Sequence, residues 1–205
     1  MTTRPYHHGN LRAALLDAAV ETVRARGVQE LSLRELARDV GVSHAAPRRH
    51  FPDKQALLDA LAEAGFERLG SEMQRAMEAA GPGFEARLGA FADAYVRFAV
   101  RDGALLELMF ASKRRSDAAD GLRAAADRAF AAPLALIAEG QAAGAFMSGD
   151  VERVGTLALA SLQGLAALVN GGMIDADQLD DLVPGAVDQI VRGLRPHQTV
   201  SNSSS

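Results

Sequence analysis

The side chains of this sequence best suited to chemistry with a partner are gathered in one short stretch, Ser32 to Lys54. Arg34, Arg48 and Arg49 present planar forks of N–H donors that match phosphate oxygens or the O6/N7 edge of guanine. Ser32, Ser43, His44, His50 and Lys54 add hydroxyl, imidazole and ammonium groups able to hold a sugar-phosphate backbone. Ala45 is small enough to let that backbone come close. The chemistry implied is non-covalent recognition of a double-stranded nucleic acid. No Ser/His/acid set, metal-ligand spacing or glycine-rich phosphate loop stands elsewhere in the chain, so nothing implies catalysis, a metal or another cofactor.

Those side chains need elements that project them. Ser32 followed by Glu35 reads as a capping box, and Leu33, Leu36, Ala37 and Val40 form one apolar stripe of a short helix. That helix stops at Gly41. Ser43 can cap a further short helix through Phe51, which presents His44, Ala45, Arg48 and Arg49 and turns Ala46 and Phe51 inward. Pro47 falls one turn into it, removes a bond to the carbonyl of Ser43 and disfavours helical geometry at Ala46, so a distorted turn is expected. Before this pair, Asn10 can cap a helix with Leu11, Leu15, Ala19 and Val23 on one face, ended by Gly27 in a left-handed conformation. The three helices form a helix-turn-helix head over residues 1–54.

Beyond it, Pro52-Asp53 starts a long helix to about Ala80, and amphipathic segments follow at about 84–98 and 104–111. A helix over about 117–143 contains Pro133 and is expected to kink there. Two more, at about 150–170 and 178–194, precede a polar tail, 196–205, too poor in apolar residues to order itself. The expected fold is all-α, about nine helices, with residues 55–195 as an effector-binding and dimerisation bundle.

Phe91, Tyr95, Phe98, Met109, Phe110, Phe130, Leu134 and Gln163 are candidates for an effector cavity, although their helical spacing equally suits a core. Tyr95, Gln163 and Asn170 are the polar groups that would mark a ligand if buried among them. The small and aliphatic faces Gly155, Ala158, Ser161, Leu162 and Leu182, Ala186, Ile190, Leu194 suit a four-helix interface between two copies. Lys113-Arg114-Arg115 reads as a solvated loop. His7-His8 reads as a solvated terminus before a minor-groove arm or a metal site.

The net charge of −4 is unevenly spread. Up to Lys54 nine basic side chains face six acids, and beyond it 13 face 20, the pattern of a protein that meets phosphate at one end. With no cysteine, no apolar leader and no stretch long enough to span a bilayer, a soluble cytoplasmic protein is expected.

The motifs together resemble the head of the TetR family of repressors. That head has a Gly-Val-Ser turn, an aromatic and a histidine near the end of the recognition helix, then Phe and Lys-x-x-Leu. Here these are Gly41-Val42-Ser43, His50-Phe51 and Lys54 to Leu57. Residues 9–70 carry the resemblance, with Tyr6 to Leu11 and Ser43 to Pro47 similar to a branch whose effector domain has a Trp-x-His-Gly motif. Ser161-Leu162-Gln163-Gly164 stands in that place, and Arg48 stands where the family usually has a phosphate-contacting tyrosine. The resemblance implies a homodimeric regulator, a near-palindromic double-stranded DNA operator and release by a small apolar effector. The alternative is a ligand- or partner-binding helical module without specific DNA binding.

Overall fold

Alanine and leucine at helical spacing build helices almost throughout: the computed structural model describes residues 11–195 and contains eight α-helices and no strand among them. They are α1 (Leu11–Arg26), α2 (Leu33–Val40), α3 (Lys54–Ala79), α4 (Phe84–Arg101), α5 (Gly103–Lys113), α6 (Asp120–Ala142), α7 (Val151–Asn170) and α8 (Leu179–Leu194). Short 3-10 turns stand at Val28–Glu30, Pro47–Arg49 and Ala176–Gln178. The Asn10 cap, the His7-His8 terminus and the tail 196–205 lie outside the described residues. The helix expected to end at Phe51 is replaced by the second of these turns, which accounts for eight α-helices where about nine were expected.

The chain divides into two units. The first comprises residues up to Leu69 and Arg101–Ala129. Its α1 buries Leu15, Ala19 and Val23 of the expected stripe and leaves Leu11 half-buried, each large buried side chain contributing about 1.5–3 kcal/mol by removal from water. Gly27 follows at φ 83, ψ 169, a positive φ but more extended than the left-handed helix, in a region open essentially to glycine. Gly65 on α3 lets α5 come close: a Cβ there would stand 2.7 Å from Met109 Sδ. One turn of the same contact is an edge-to-face pair, Phe66 with Phe110, at 5.8 Å between ring centroids.

The run Lys113-Arg114-Arg115 is more constrained than the expected loop. Lys113 Nζ meets Asp127 at 2.9 Å, while Arg115 bridges Asp59 on α3 and Asp117, both at 2.8 Å. Carboxylates 14 and 56 residues away in sequence are invisible to a local charge count; only Arg114 of the three is exposed.

The second unit comprises Gly70–Val100 and residues from Phe130 on. Gly140 on α6 admits the Phe84 and Phe146 rings, which meet edge to face at 5.0 Å. Asp150 caps α7 by accepting from the Glu152 and Arg153 N–H groups at 2.9 and 3.2 Å. Most of the α7 sequence is apolar, yet only Leu162 and Ala166 are buried. Gly155 faces inward as well, since a Cβ there would stand 2.7 Å from Leu134 Cδ2. Gly155 and Leu162 therefore pack within the protomer, contrary to their expected place on an intermolecular face. An α-helix turns 100° per residue, so the face opposite them holds Leu157, Ser161, Gly164 and Leu168, all exposed.

Candidate nucleic-acid interface

The Ser32–Lys54 segment is built on a sharply terminated helix. Gly41 adopts the left-handed conformation at φ 75, ψ 32, its N–H donates to Arg38 O at 3.1 Å and the Val42 N–H donates to Ala37 O at 2.8 Å. This Schellman pair satisfies two otherwise orphaned carbonyls and turns the chain out of α2. At the other end Ser32 occupies the N-cap position with extended backbone, but its side chain makes no capping hydrogen bond. The expected capping box is thus not formed. Glu35 lies instead 3.9 Å from Arg38, one turn along the exposed side of α2.

The projecting segment is a turn followed by one 3-10 turn, not an α-helix. Pro47 has no N–H for the carbonyl of Ser43, and that carbonyl accepts from Ala46 at 3.0 Å instead. His50 then donates to Pro47 O at 3.0 Å, prolonging the tighter i+3 pattern. Ala46 keeps helical angles, φ −65 and ψ −43, despite the proline after it. Tertiary packing overrides the local preference, because Pro47 and Phe51 are both buried beneath the segment. Arg12 of α1 lies 5.7 Å from the Phe51 ring centroid, a cation–π contact that closes the underside.

Every large polar side chain of the segment then points outward. Ser43, His44, Ala45, Arg48, Arg49, His50 and Lys54 are exposed, as is Arg34 on α2, while Ser32 is half-buried. Ser32, Arg34, Glu35, Arg38 and His44 line one shallow cleft. Lys54 opens α3 and donates to Gln29 O at 3.2 Å, next to the helix cap formed by Asp53 Oδ1 and the Ala56 N–H at 2.8 Å.

Two family models match successive parts of the chain. Residues 15–61 match the family model for bacterial regulatory proteins of the tetR family, and residues 88–190 match the one for the tetracyclin repressor-like C-terminal domain. This chain belongs to the TetR family. Over 53 residues it is 45% identical to the tetracycline repressor protein class C of Escherichia coli, a match covering 26% of this chain and 24% of that protein. The match thus spans about a quarter of that curated relative.

Among solved structures, a protein of unknown function from Rhodococcus sp. RHA1 is similar at TM-score 0.85 and 45% identity, over 95% of this chain and 100% of that one. A TetR family transcription regulator from Marinobacter aquaeolei VT8 shares the fold at TM-score 0.74 and 17% identity, over 91% and 96% of the two chains. As a TetR family member the chain is a transcriptional regulator with a DNA-binding fold, not an enzyme. Among the described residues no helix is long and apolar enough to cross a membrane.

The residues proposed for an effector cavity fall into two sets. Met109 and Phe110 pack in the first unit against Gly65 and Phe66. Phe91, Tyr95, Phe98, Phe130, Leu134 and Gln163 belong to the second. There the fully buried Tyr95 hydroxyl donates to Gln163 Oε1 at 2.5 Å, and its ring lies 6.3 Å from Phe91 and 6.5 Å from Phe130. Burial pushes the Tyr95 phenol well above the ordinary tyrosine range. Asn170 satisfies a backbone group, donating to Ala99 O at 3.0 Å.

Two functional neighbours escaped the sequence reading. Arg38, in the cleft beside His44, carries the same helix-face signal as Arg34 and could have been found with it. Arg12 could not, since nothing local to the first helix indicates Phe51.

Proposed function

We propose that this TetR family regulator is a homodimeric repressor that binds a near-palindromic DNA operator through Ser32 to Lys54 and is released by a small apolar ligand. The observation that carries the reading is the division of one short segment into a buried underside, Pro47 and Phe51, and an exposed cationic face with Arg34, Arg48, Arg49 and Lys54. Such a face neutralises phosphates and releases counterions, the dominant source of affinity for duplex DNA. Ser32, Ser43 and His50 supply hydrogen bonds to the DNA backbone, and His44, Ala45 and Arg49 are the residues that read base edges.

Dimerisation rests on α7 and α8. Leu157, Ser161, Gly164 and Leu168 form an uncovered apolar stripe with small residues at its centre, and Leu182 on α8 is exposed as well. Paired with the same face of a second copy, they make a two-fold interface that sets the spacing of two heads. The ligand reading rests on Tyr95 and Gln163, one polar pair inside an aromatic cluster, which suits an apolar molecule with a single polar group. Such a ligand would favour a conformer whose heads no longer fit the operator.

The 3-10 geometry of Pro47–Arg49 favours phosphate anchoring over extensive base reading. It is also the observation that keeps the second reading, a module without specific DNA binding. Selection from a random DNA library, followed by titration of wild type and the Arg48→Ala/Arg49→Ala variant against salt, tests both. Wild type should enrich a palindrome, and the variant, which removes four arginines from a bound dimer, should bind it more weakly with a log K–log salt slope shallower by about 3–4. No enriched sequence would favour the module; an unchanged slope would remove these arginines from the interface.

A further inference from the structure

The carboxylate of Asp102 is almost wholly sealed from solvent, its side chain 1% exposed, and three arginines converge on it. Arg24 of α1 donates Nε and Nη2 to Oδ1 at 3.0 and 2.7 Å. Arg101, the last residue of α4, donates Nε to Oδ2 at 2.6 Å, and Arg68 of α3 brings Nη2 to 2.9 Å from the same oxygen. Asp102 is also the N-cap residue of α5, where an aspartate ordinarily accepts from the first-turn N–H groups. Here its side chain makes no such bond. Both oxygens are committed to arginines instead, and Arg24 is further oriented by Glu21 at 2.5 Å.

The position of this cluster gives it a use. Arg24 stands in the last turn of the helix on which the DNA-facing segment packs, through Phe51 and Arg12 at its other end. Arg68 stands one residue before α3 leaves the first unit, and Arg101 opens the segment by which the chain returns to it. A buried carboxylate with three charged donors is a discrete contact. Sliding α5 along α1 or α3 strips it of partners, which costs far more than a shift among apolar side chains, because a desolvated charge is left uncompensated. The head is therefore held by an ionic clamp as well as by packing.

We propose that Asp102 is a positioning residue, which through Arg24, Arg68 and Arg101 locks α1, α3 and α5 into one rigid body and so fixes the orientation of the DNA-facing segment. The proposal rests on the DNA-binding reading above. It adds that orientation, and hence tolerance of half-site spacing, is set at a point remote from the DNA-facing residues.

The test compares full-length wild type with Asp102→Asn, Asp102→Glu and Arg24→Gln. The probes are a selected palindrome, single half-site DNA and palindromes with one base pair added or removed. Asp102→Asn should bind single half-sites within twofold of wild type and with an unchanged salt slope, but lose at least tenfold of the discrimination between spacings. Asp102→Glu should restore part of it, and Arg24→Gln should reproduce the loss in weaker form. Spacing discrimination equal to wild type in both Asp102→Asn and Arg24→Gln, with only a lowered Tm, would overturn the proposal.

Arg24→Gln keeps the test decisive if Asp102→Asn fails to fold. If wild type enriches no DNA, the DNA reading fails and amide hydrogen exchange decides the clamp. At least tenfold faster exchange in α1 and α5 with α7 unchanged supports it; unchanged exchange in α1 and α5 overturns it.

Discussion

Tyr95 donates its hydroxyl proton to Gln163 Oε1 at 2.5 Å from a side chain with no solvent exposure. A buried phenol resists ionisation because the phenolate would lose its hydration, so its pKa lies above the ordinary value near 10. The folded state therefore holds this proton when the unfolded chain releases it. Stability is fully present below about pH 10 and is lost as the pH rises from there toward the raised value. In a Tyr6→Phe background Tyr95 is the sole tyrosine. Its phenolate absorbance should appear only together with the alkaline loss of helical circular dichroism, and titration ahead of unfolding would refute the burial.

Asp102 has the opposite sign. Desolvation alone would raise its pKa, but the hydrogen bonds from Arg101 and Arg24 and the charge of Arg68 outweigh it and hold the carboxyl below its usual range. Its contribution is present above the unfolded value near 3.9 and disappears as the pH falls through the lowered folded one. The stability difference between wild type and Asp102→Asn, measured by urea unfolding, should be constant from pH 7 to about pH 5 and shrink at more acid pH. A difference that grows on acidification would contradict the geometry.

Gly41 holds φ 75 with open space where a Cβ would go, so the objection to a side chain there is backbone strain alone. Gly41→Ala should cost about 1 kcal/mol, and Gly41→Asn less, because asparagine tolerates the left-handed region. Equal destabilisation by both, in thermal unfolding, would mean that φ is not what the glycine supplies.

Helix boundaries and the turn between α2 and the DNA-facing segment were legible because their causes are local. A glycine that must take positive φ, an aspartate that caps and an apolar period of 3.6 all act within a few residues. The capping box did not form although its residue types stand at the right spacing: Ser32 makes no side-chain cap bond and Glu35 lies 3.9 Å from Arg38 on its own helix face. Pro47 was legible as a distortion but not as a 3-10 turn, since its burial beneath the segment depends on α1. Asp102 was illegible altogether. Its bond to Arg24 spans 78 positions, and in sequence Asp102-Gly103 reads only as a break between two helices. In α7 the pattern failed for the opposite reason: apolar residues occur on every side, so periodicity could not tell the face packed on Leu134 from the face left open.

That open face supports the most exposed of the predictions. Leu157 is 61% exposed and Leu168 39%, two apolar side chains on one stripe about 11 residues apart, or three turns of helix. Between them Ser161 bonds back to its own helix at Leu157 O, 3.1 Å, and Gly164 has nothing within 4 Å of a built Cβ. A second copy of the stripe can approach closely at the centre and bury the leucines at either end, each contributing about 1.5–3 kcal/mol if fully covered. Leu157→Glu/Leu168→Glu places like charges across the two-fold axis and should give a helical monomer by sedimentation velocity. Its affinity for a palindromic operator should fall to that for a single half-site, with the half-site affinity itself retained. A double variant that remains dimeric would move the interface to another face of the molecule.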